Sequence, residues 1–139
     1  MVTVMLDLNV LLDVVQKREP FYAASATVLS QAVEESGTSC LPGHVPDHPA
    51  LHRRQIRGPG ASEYYCGLVL AHLEIVPQDR AQFVRARNLR FDDFEDAALA
   101  SAAEAAGCRL ILTRNVVGFG ASPVPAVTPE EFLLTASQG

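Results

Sequence analysis

Short β-rich apolar runs alternate with amphipathic segments along this chain, and that alternation constrains the fold more than any single residue does. Val2-Thr-Val-Met-Leu6 suits a buried strand and is too short for a helix. Behind it Leu8, Leu11, Leu12 and Val15 recur at helical spacing until Glu19-Pro20, where proline disfavours αR in the residue before it. Phe21, Ala24, Val28, Leu29, Ala32 and Val33 mark a second amphipathic helix, which closes at Ser36-Gly37. Thr38 to Leu41 offers a second strand, Ser62 to Leu73 a helix, and Leu73 to Val76 a third strand ended by Pro77. Gln78 to Asn88 reads as helix, and the alanine-rich stretch Asp92 to Ala106 as another, with Gly107 at its C′ position. Arg109 to Thr113 is a buried strand and Pro125 to Thr128 an edge strand. Pro129 to Leu134 is a short helix with Thr128 as N-cap and Glu131 completing a capping box. Helices and strands in this order predict an α/β fold with a mainly parallel sheet covered on both faces. Its sites are expected outside the carboxyl ends of the strands.

Length and composition agree with one such unit. A chain of 139 residues suits a single domain spanning 1–139, and 48% hydrophobic against 19% charged residues excludes disorder along the whole chain. No apolar run approaches the roughly 20 residues that cross a bilayer, and no basic, then apolar, leader opens the chain. A soluble cytoplasmic protein without a membrane partner is expected. Cys40, Cys66 and Cys108 are scattered without Cys-x-x-Cys spacing and read as small core residues in a reducing compartment. The net charge of −5 argues against a basic footprint over the whole surface. Yet with Asp7, Asp92, Asp93, Glu95 and Asp96 set aside at one site, the remaining acids match the 11 bases.

One stretch departs from the pattern. Residues 42–60 hold four prolines, three glycines, three of the four histidines and Arg53, Arg54 and Arg57, so the segment is expected to be irregular. His44, His48 and His52 lack any partner cysteine spacing that would support a zinc site.

Asp7 stands at the carboxyl end of the first strand and Thr113 to Asn115 at that of a late strand, so both face one edge. Asp92, Asp93 and Asp96 fall at i, i+1 and i+4 of the alanine-rich helix, placing at least two carboxylates on one face. That helix reaches the same edge if its preceding loop folds over the sheet. Clustered carboxylates raise one another's pKa unless a cation sits among them, and an Asp/Asn set without histidine favours Mg²⁺ or Mn²⁺ over Zn²⁺. The chemistry this points to is phosphodiester hydrolysis. Taken singly, the same residues have plainer readings: Asp7 caps the first helix, Asp92, Asp93 and Glu95 complement a helix dipole, and Asn115 makes a turn.

The ordered set Asp7-Leu-Asn9-Val-Leu-Leu-Asp13, Lys17-Arg-Glu-Pro-Phe21, Phe91-Asp-Asp-Phe-Glu-Asp96-Ala97, Leu112-Thr-Arg-Asn115 and Val127-Thr-Pro-Glu-Glu-Phe132 resembles the PIN-domain ribonucleases, especially the VapC-like toxins. The resemblance spans both ends and most of the chain. It implies a three-layer α/β/α sandwich and a Mg²⁺- or Mn²⁺-dependent endoribonuclease, commonly dimeric and inhibited by a cognate antitoxin. Carried over by position, Asp7 and Asp96 match the principal catalytic acids and metal ligands, and Asp93 an additional acid of one subgroup. Asn115, a supporting ligand, and Gly118 stand where many members carry aspartate. Asn9 and Arg114 are candidate substrate contacts, Arg114 toward phosphate. Residues 42–60 lack the glutamate-bearing helix, or the threonine/asparagine motif, that members place there. The abrupt change of composition at both ends marks this segment as divergent or out of frame.

Two readings compete. The first is a VapC-like toxin cleaving RNA. The second is a catalytically impaired PIN-like domain that keeps the fold and acts as a binding module, supported by the missing second acid. A phosphatase on a similar sheet would need an Asp-x-Asp motif, and residue 9 is asparagine.

Overall fold

The alternation becomes a five-stranded, all-parallel sheet. The computed structural model describes residues 3–43, 64 and 67–138. In chain order the elements are β1 (Val4–Leu6), α1 (Leu8–Val15), α2 (Tyr22–Glu34), β2 (Ser39–Pro42), β3 (Glu74–Val76), α3 (Arg80–Asn88), α4 (Phe94–Ala105), β4 (Leu110–Leu112), β5 (Ala126–Val127) and α5 (Pro129–Gln138). Residues 67–72 are helical and lead into β3, and Val116–Phe119 form a 3₁₀ turn after β4. Strand order is β3-β2-β1-β4-β5. The irregularity expected over 42–60 falls outside the described residues apart from Pro42, which ends β2, and Gly43. The histidines and arginines of that segment and Cys66 lie outside them as well.

Side-chain alternation divides the sheet into two cores. Met5, Cys40 and Ile111 share one register row and pack with Leu99, Ala100 and Ala103 of α4. Val4, Leu6, Leu41 and Leu112 face the other way, onto Val10 of α1 and Val28 and Ala32 of α2. Successive strand residues point to opposite faces, so a chain whose strands are buried on both sides reads as continuous apolar runs. The result is an α/β/α sandwich, as expected. Cys40 and Cys108 are free thiols in the α4-side core, with their sulfurs 3.3 Å apart.

Several boundaries differ from the sequence reading, each for a local reason. The first helix stops at Val15 and not at Glu19, because Lys17 turns left-handed at φ +49°. Its amide bonds Val14 O, and the Arg18 amide returns to Asp13 O, which is a Schellman closure completed before Pro20 is reached. The buried side of this helix also includes Asp13, among Val10, Leu12, Val14 and Val15, whereas Leu8 and Leu11 are only half-buried. The alanine-rich helix begins at Phe94 and not at Asp92, because the Asp93 side chain accepts from the Glu95 and Asp96 amides and thereby caps it. The last helix runs on to Gln138, past Leu134. Its capping box forms as read: Thr128 Oγ1 accepts from the Glu131 amide at 3.1 Å, and Glu131 Oε1 accepts from the Thr128 amide at 3.4 Å.

Helix α4 ends in the same device that closes α1, this time with glycine at the left-handed position. Gly107 has φ +73°, its amide reaches Glu104 O, and the Cys108 amide reaches Ala103 O. A Cβ built there meets no atom within 4 Å, so substitution is opposed only by backbone conformation. Gly107→Ala is expected to lower unfolding free energy by about 1 kcal/mol with an unchanged denaturant slope. Urea denaturation followed by circular dichroism checks this, and an unchanged midpoint would show that the left-handed cap contributes nothing.

Candidate active site at the carboxyl edge of the sheet

Parallel pairing of β1 with β4 places Leu6 opposite Leu112, so Asp7 and Thr113 leave the sheet side by side. The Asp7 amide donates to Leu112 O at 2.9 Å, and the Thr113 hydroxyl donates to Asp7 Oδ2 at 2.8 Å. Asp7 is also the N-cap of α1, its Oδ1 accepting from the Asn9 amide at 3.2 Å. The plain capping role and a place at the site therefore belong to the same side chain. A carboxylate oxygen has two acceptor positions, and these bonds leave capacity on both.

Helix α4 brings Asp96 to this edge without any special loop. It ends just before β4 begins, and the Arg109 amide bonds Thr3 O beside the start of β1. Its C-terminus therefore lies at the amino edge of the sheet. Twelve residues span about 18 Å, so the N-terminus reaches the carboxyl edge. The expectation that a loop must fold over the sheet is thus replaced by a property of the crossover itself.

Asp7, Asn9, Asp93, Glu95, Asp96 and Asn115 line one cleft of 200 Å³, together with Gln78 and Pro42. Burial pushes the Asp96 carboxyl up to about 6. The negative charges of Asp93 and Asp7 add to this, and a hydrogen bond from Asn115 opposes it. That bond runs from Asn115 Nδ2 to Asp96 Oδ2 at 3.4 Å. A Cβ on Gly118 would stand 2.7 Å from the same Nδ2 and 3.0 Å from the same Oδ2, so glycine leaves room beside the pair. A larger cavity of 450 Å³ lies between α2, α5 and the sheet, but its walls are chiefly apolar, with Val28, Ala32, Leu112 and Phe132 among them. The smaller cleft is where ionisable groups converge.

The fit to a divalent cation can be judged from these donors. All are hard oxygen ligands or become so when the Asn115 amide rotates, and mutual repulsion at Asp96 is what a cation would relieve. Among the described residues, however, no group of three or more His, Cys, Asp or Glu side chains is gathered closely enough to hold a metal. Asp7, Asp96 and the Asn115 amide oxygen are the residues that would hold such a cation here.

Not every expected residue reaches the cleft. Asp92 is exposed and lies outside α4, so the i, i+1, i+4 face reduces to Asp96 and the capping Asp93. Arg114, expected at phosphate, is absent from the cleft wall. Its Nε lies 3.3 Å from Asp13 Oδ2, and its guanidinium carbon sits 4.4 Å from the centre of the Phe21 ring. A buried carboxylate draws the guanidinium inward, away from the cleft. Two residues carry roles the sequence reading did not assign. Thr113 orients Asp7, a role its position one residue past a strand end opposite Asp7 could have signalled. Asp13 is fully buried, and the signal was a charge within the apolar run Leu11-Leu12-Asp13-Val14-Val15.

A PIN domain family profile matches residues 3–117. No curated protein sequence matches the chain. Among solved structures, the chain resembles one in VapBC2 from Rickettsia felis bound to a DNA fragment from their promoter, with TM-score 0.64 and 17% identity over 91% of this chain and 98% of that one. It resembles a chain of FitAcB from Neisseria gonorrhoeae with TM-score 0.63 and 15% identity, covering 92% and 99%. A third likeness is to a toxin-antitoxin complex from Klebsiella pneumoniae, with TM-score 0.62 and 19% identity, covering 91% and 98%. Identities this low speak for the fold, and the profile match over most of the chain speaks for the family. The chain belongs to the PIN domain family.

Proposed function

We propose that this chain is a single-domain, metal-dependent endoribonuclease of the VapC-like toxin type. The observation that carries the reading is the convergence of Asp7 and Asp96, remote in sequence, on one cleft that also holds Asn115 and Asn9. Family membership supports it, since PIN domains generally use divalent metal ions. Asp7 and Asp96 are the principal ligands for Mg²⁺ or Mn²⁺, and Asp93 and Asn115 assist. A bound divalent cation supplies Lewis acidity toward a phosphoryl oxygen and lowers the pKa of a water. The chain's own groups prepare that event. Thr113 and the Asn9 backbone amide fix the Asp7 carboxylate, and Asp93 caps the start of α4 and so fixes the helix turn that carries Asp96. The Asn9 side chain lies on the cleft wall beside Asp7, in reach of a substrate phosphate or sugar.

A second reading is favoured by one observation, the absence among the described residues of any three-member carboxylate, histidine or cysteine cluster. It makes the chain a PIN-like binding module that does not cut. Incubation with single-stranded RNA and Mn²⁺ separates the two. Cleavage by the native chain that disappears in Asp96→Asn, with an unchanged circular dichroism spectrum, supports the nuclease. Intact RNA with retained binding supports the module.

The likeness to a toxin-antitoxin complex supports a cognate antitoxin as partner, and a cytoplasmic location accords with helices none of which, among the described residues, is long and apolar enough to cross a membrane. We take the second copy to dock on α2 and the helical residues 67–72, near Tyr64, which is 62% exposed. Light scattering at micromolar concentration should give twice the 15.0 kDa chain mass; a monomer mass would count against the dimer.

Metal removal gives a further expectation. Asp96 titrates near 6 in the fold against 3.8 for the free group, so the folded state holds its proton more tightly than the unfolded chain does. Stability therefore falls as pH rises from about 4 to 6, and the loss is complete above that. In EDTA at pH 7, Asp96→Asn should be more stable by about 1 kcal/mol, a value reduced for partial exposure, or about 3 °C in Tm. Below pH 4 the difference should vanish. Thermal scans at pH 3.8 and 7 check this, and equal gains at both would show that burial and repulsion of the ionised carboxylate are not the cause.

A further inference from the structure

Asp13 has no place in the chemistry proposed above, yet it is a carboxylate with 0% exposure in a small protein. Its Oδ2 accepts from the Ser25 hydroxyl of α2 at 3.1 Å and faces Arg114 Nε at 3.3 Å. Its Oδ1 makes no hydrogen bond among the described residues and lies 4.0 Å from Arg18 Nη1, and Arg114 Nε makes none either, so Asp13 holds Arg114 as an ion pair without a hydrogen bond from Nε. Such a pair is a poor way to stabilise a core, because well-packed apolar residues in the same volume are often as stable or more so. What the pair does have is position. Helix α1 carries Asp7 at one end and Asp13 about 9 Å along its axis. The chain leaving β4 presents Thr113, Arg114 and Asn115 in succession. Asp7 takes the first through its hydroxyl, Asp13 faces the second, and the third is aimed at Asp96. The Asn115 amide closes the corner on Thr113 Oγ1 at 3.1 Å.

We propose that Asp13 and Arg114 form a clamp that holds the Thr113 to Asn115 corner against α1, so that Asp13 is a positioning residue for the acidic cleft. Phe21 forms the third jaw, its ring backing the guanidinium. One helix grips two consecutive residues of the corner, which leaves the third little freedom to turn away from Asp96. Displacement of a catalytic group by about 1 Å can cost about 100-fold in rate, so a remote clamp can matter as much as a ligand.

The kinetic arm of the test rests on the nuclease reading, and the exchange arm does not. In Asp13→Asn, which keeps volume and the Ser25 contact, amide hydrogen exchange at Asn115 in the metal-free protein should quicken by about 10-fold or more. Mn²⁺ affinity, read by electron paramagnetic resonance, should weaken by about 10-fold, and kcat on single-stranded RNA should fall by about 10- to 100-fold with KM nearly unchanged. Arg114→Gln, at a partly exposed side chain, should reproduce these changes and decides the matter if Asp13→Asn does not fold. The double variant should be no worse than the worse single one, because the two act as a unit. A lowered Tm with unchanged exchange and Mn²⁺ affinity would overturn the clamp, leaving the pair merely structural. A raised KM with unchanged kcat in Arg114→Gln alone would also overturn it, in favour of a direct phosphate contact. If the native chain neither binds Mn²⁺ nor cuts RNA, the nuclease reading fails, and exchange at Asn115 still decides the clamp.

Discussion

The pairing of β1 with β4 is the constraint on which the site depends. Leu6 and Leu112 are neighbours in a parallel ladder whose two faces are both covered, and a slip of one residue would turn every buried side chain to the wrong core. Register is therefore set by apolar packing, far more strongly than polar residues at the edge could set it. Asp7 and Thr113 inherit their closeness from that packing. The 2.8 Å bond between them needs no search through conformations once the sheet is formed.

The opposite wall of the cleft depends on a helix packed through alanine. Ala100, Ala102 and Ala103 are fully buried, and their small size lets α4 lie close against Met5 and Ile111. A helix seated this closely has little freedom to slide, so the position of Asp96 near its start is determined by contacts toward its far end. The alanine run thus gives high helix propensity and a defined place for a carboxylate at once.

Much of this was legible in the sequence because period and punctuation act locally. Apolar runs marked the strands, Gly107 marked a left-handed helix end, and Thr128 with Glu131 announced a cap, each through residues within a turn of one another; Gly37 is left-handed too, but it lies two residues past the Glu35 C-cap and bonds His72 O and does not close α2. Asp7 and Asp96 could be assigned to one edge once parallel topology was inferred. The orientation of Arg114 was not legible, since its partner Asp13 is far away in sequence and the attraction exists only in the fold. The early end of α1 was hidden for a different reason: Lys17 is not a residue type that advertises a left-handed conformation. The plain and the functional readings of Asp7 were never alternatives, because a capping carboxylate keeps acceptor capacity for a second task.

Gly118 bears on how such a site can change over generations. Any side chain at this position would intrude on the contact between Asn115 and Asp96, with its first carbon 2.7 Å from the amide nitrogen. Both neighbours are flexible ends, so the protein would still fold, but the amide would be pushed off the carboxylate. Introducing an acid at 118 is thus not an independent step from the identity of residue 115. Positions 115 and 118 are sterically coupled, so a side chain at 118 and the 3.4 Å contact of Asn115 with Asp96 exclude one another.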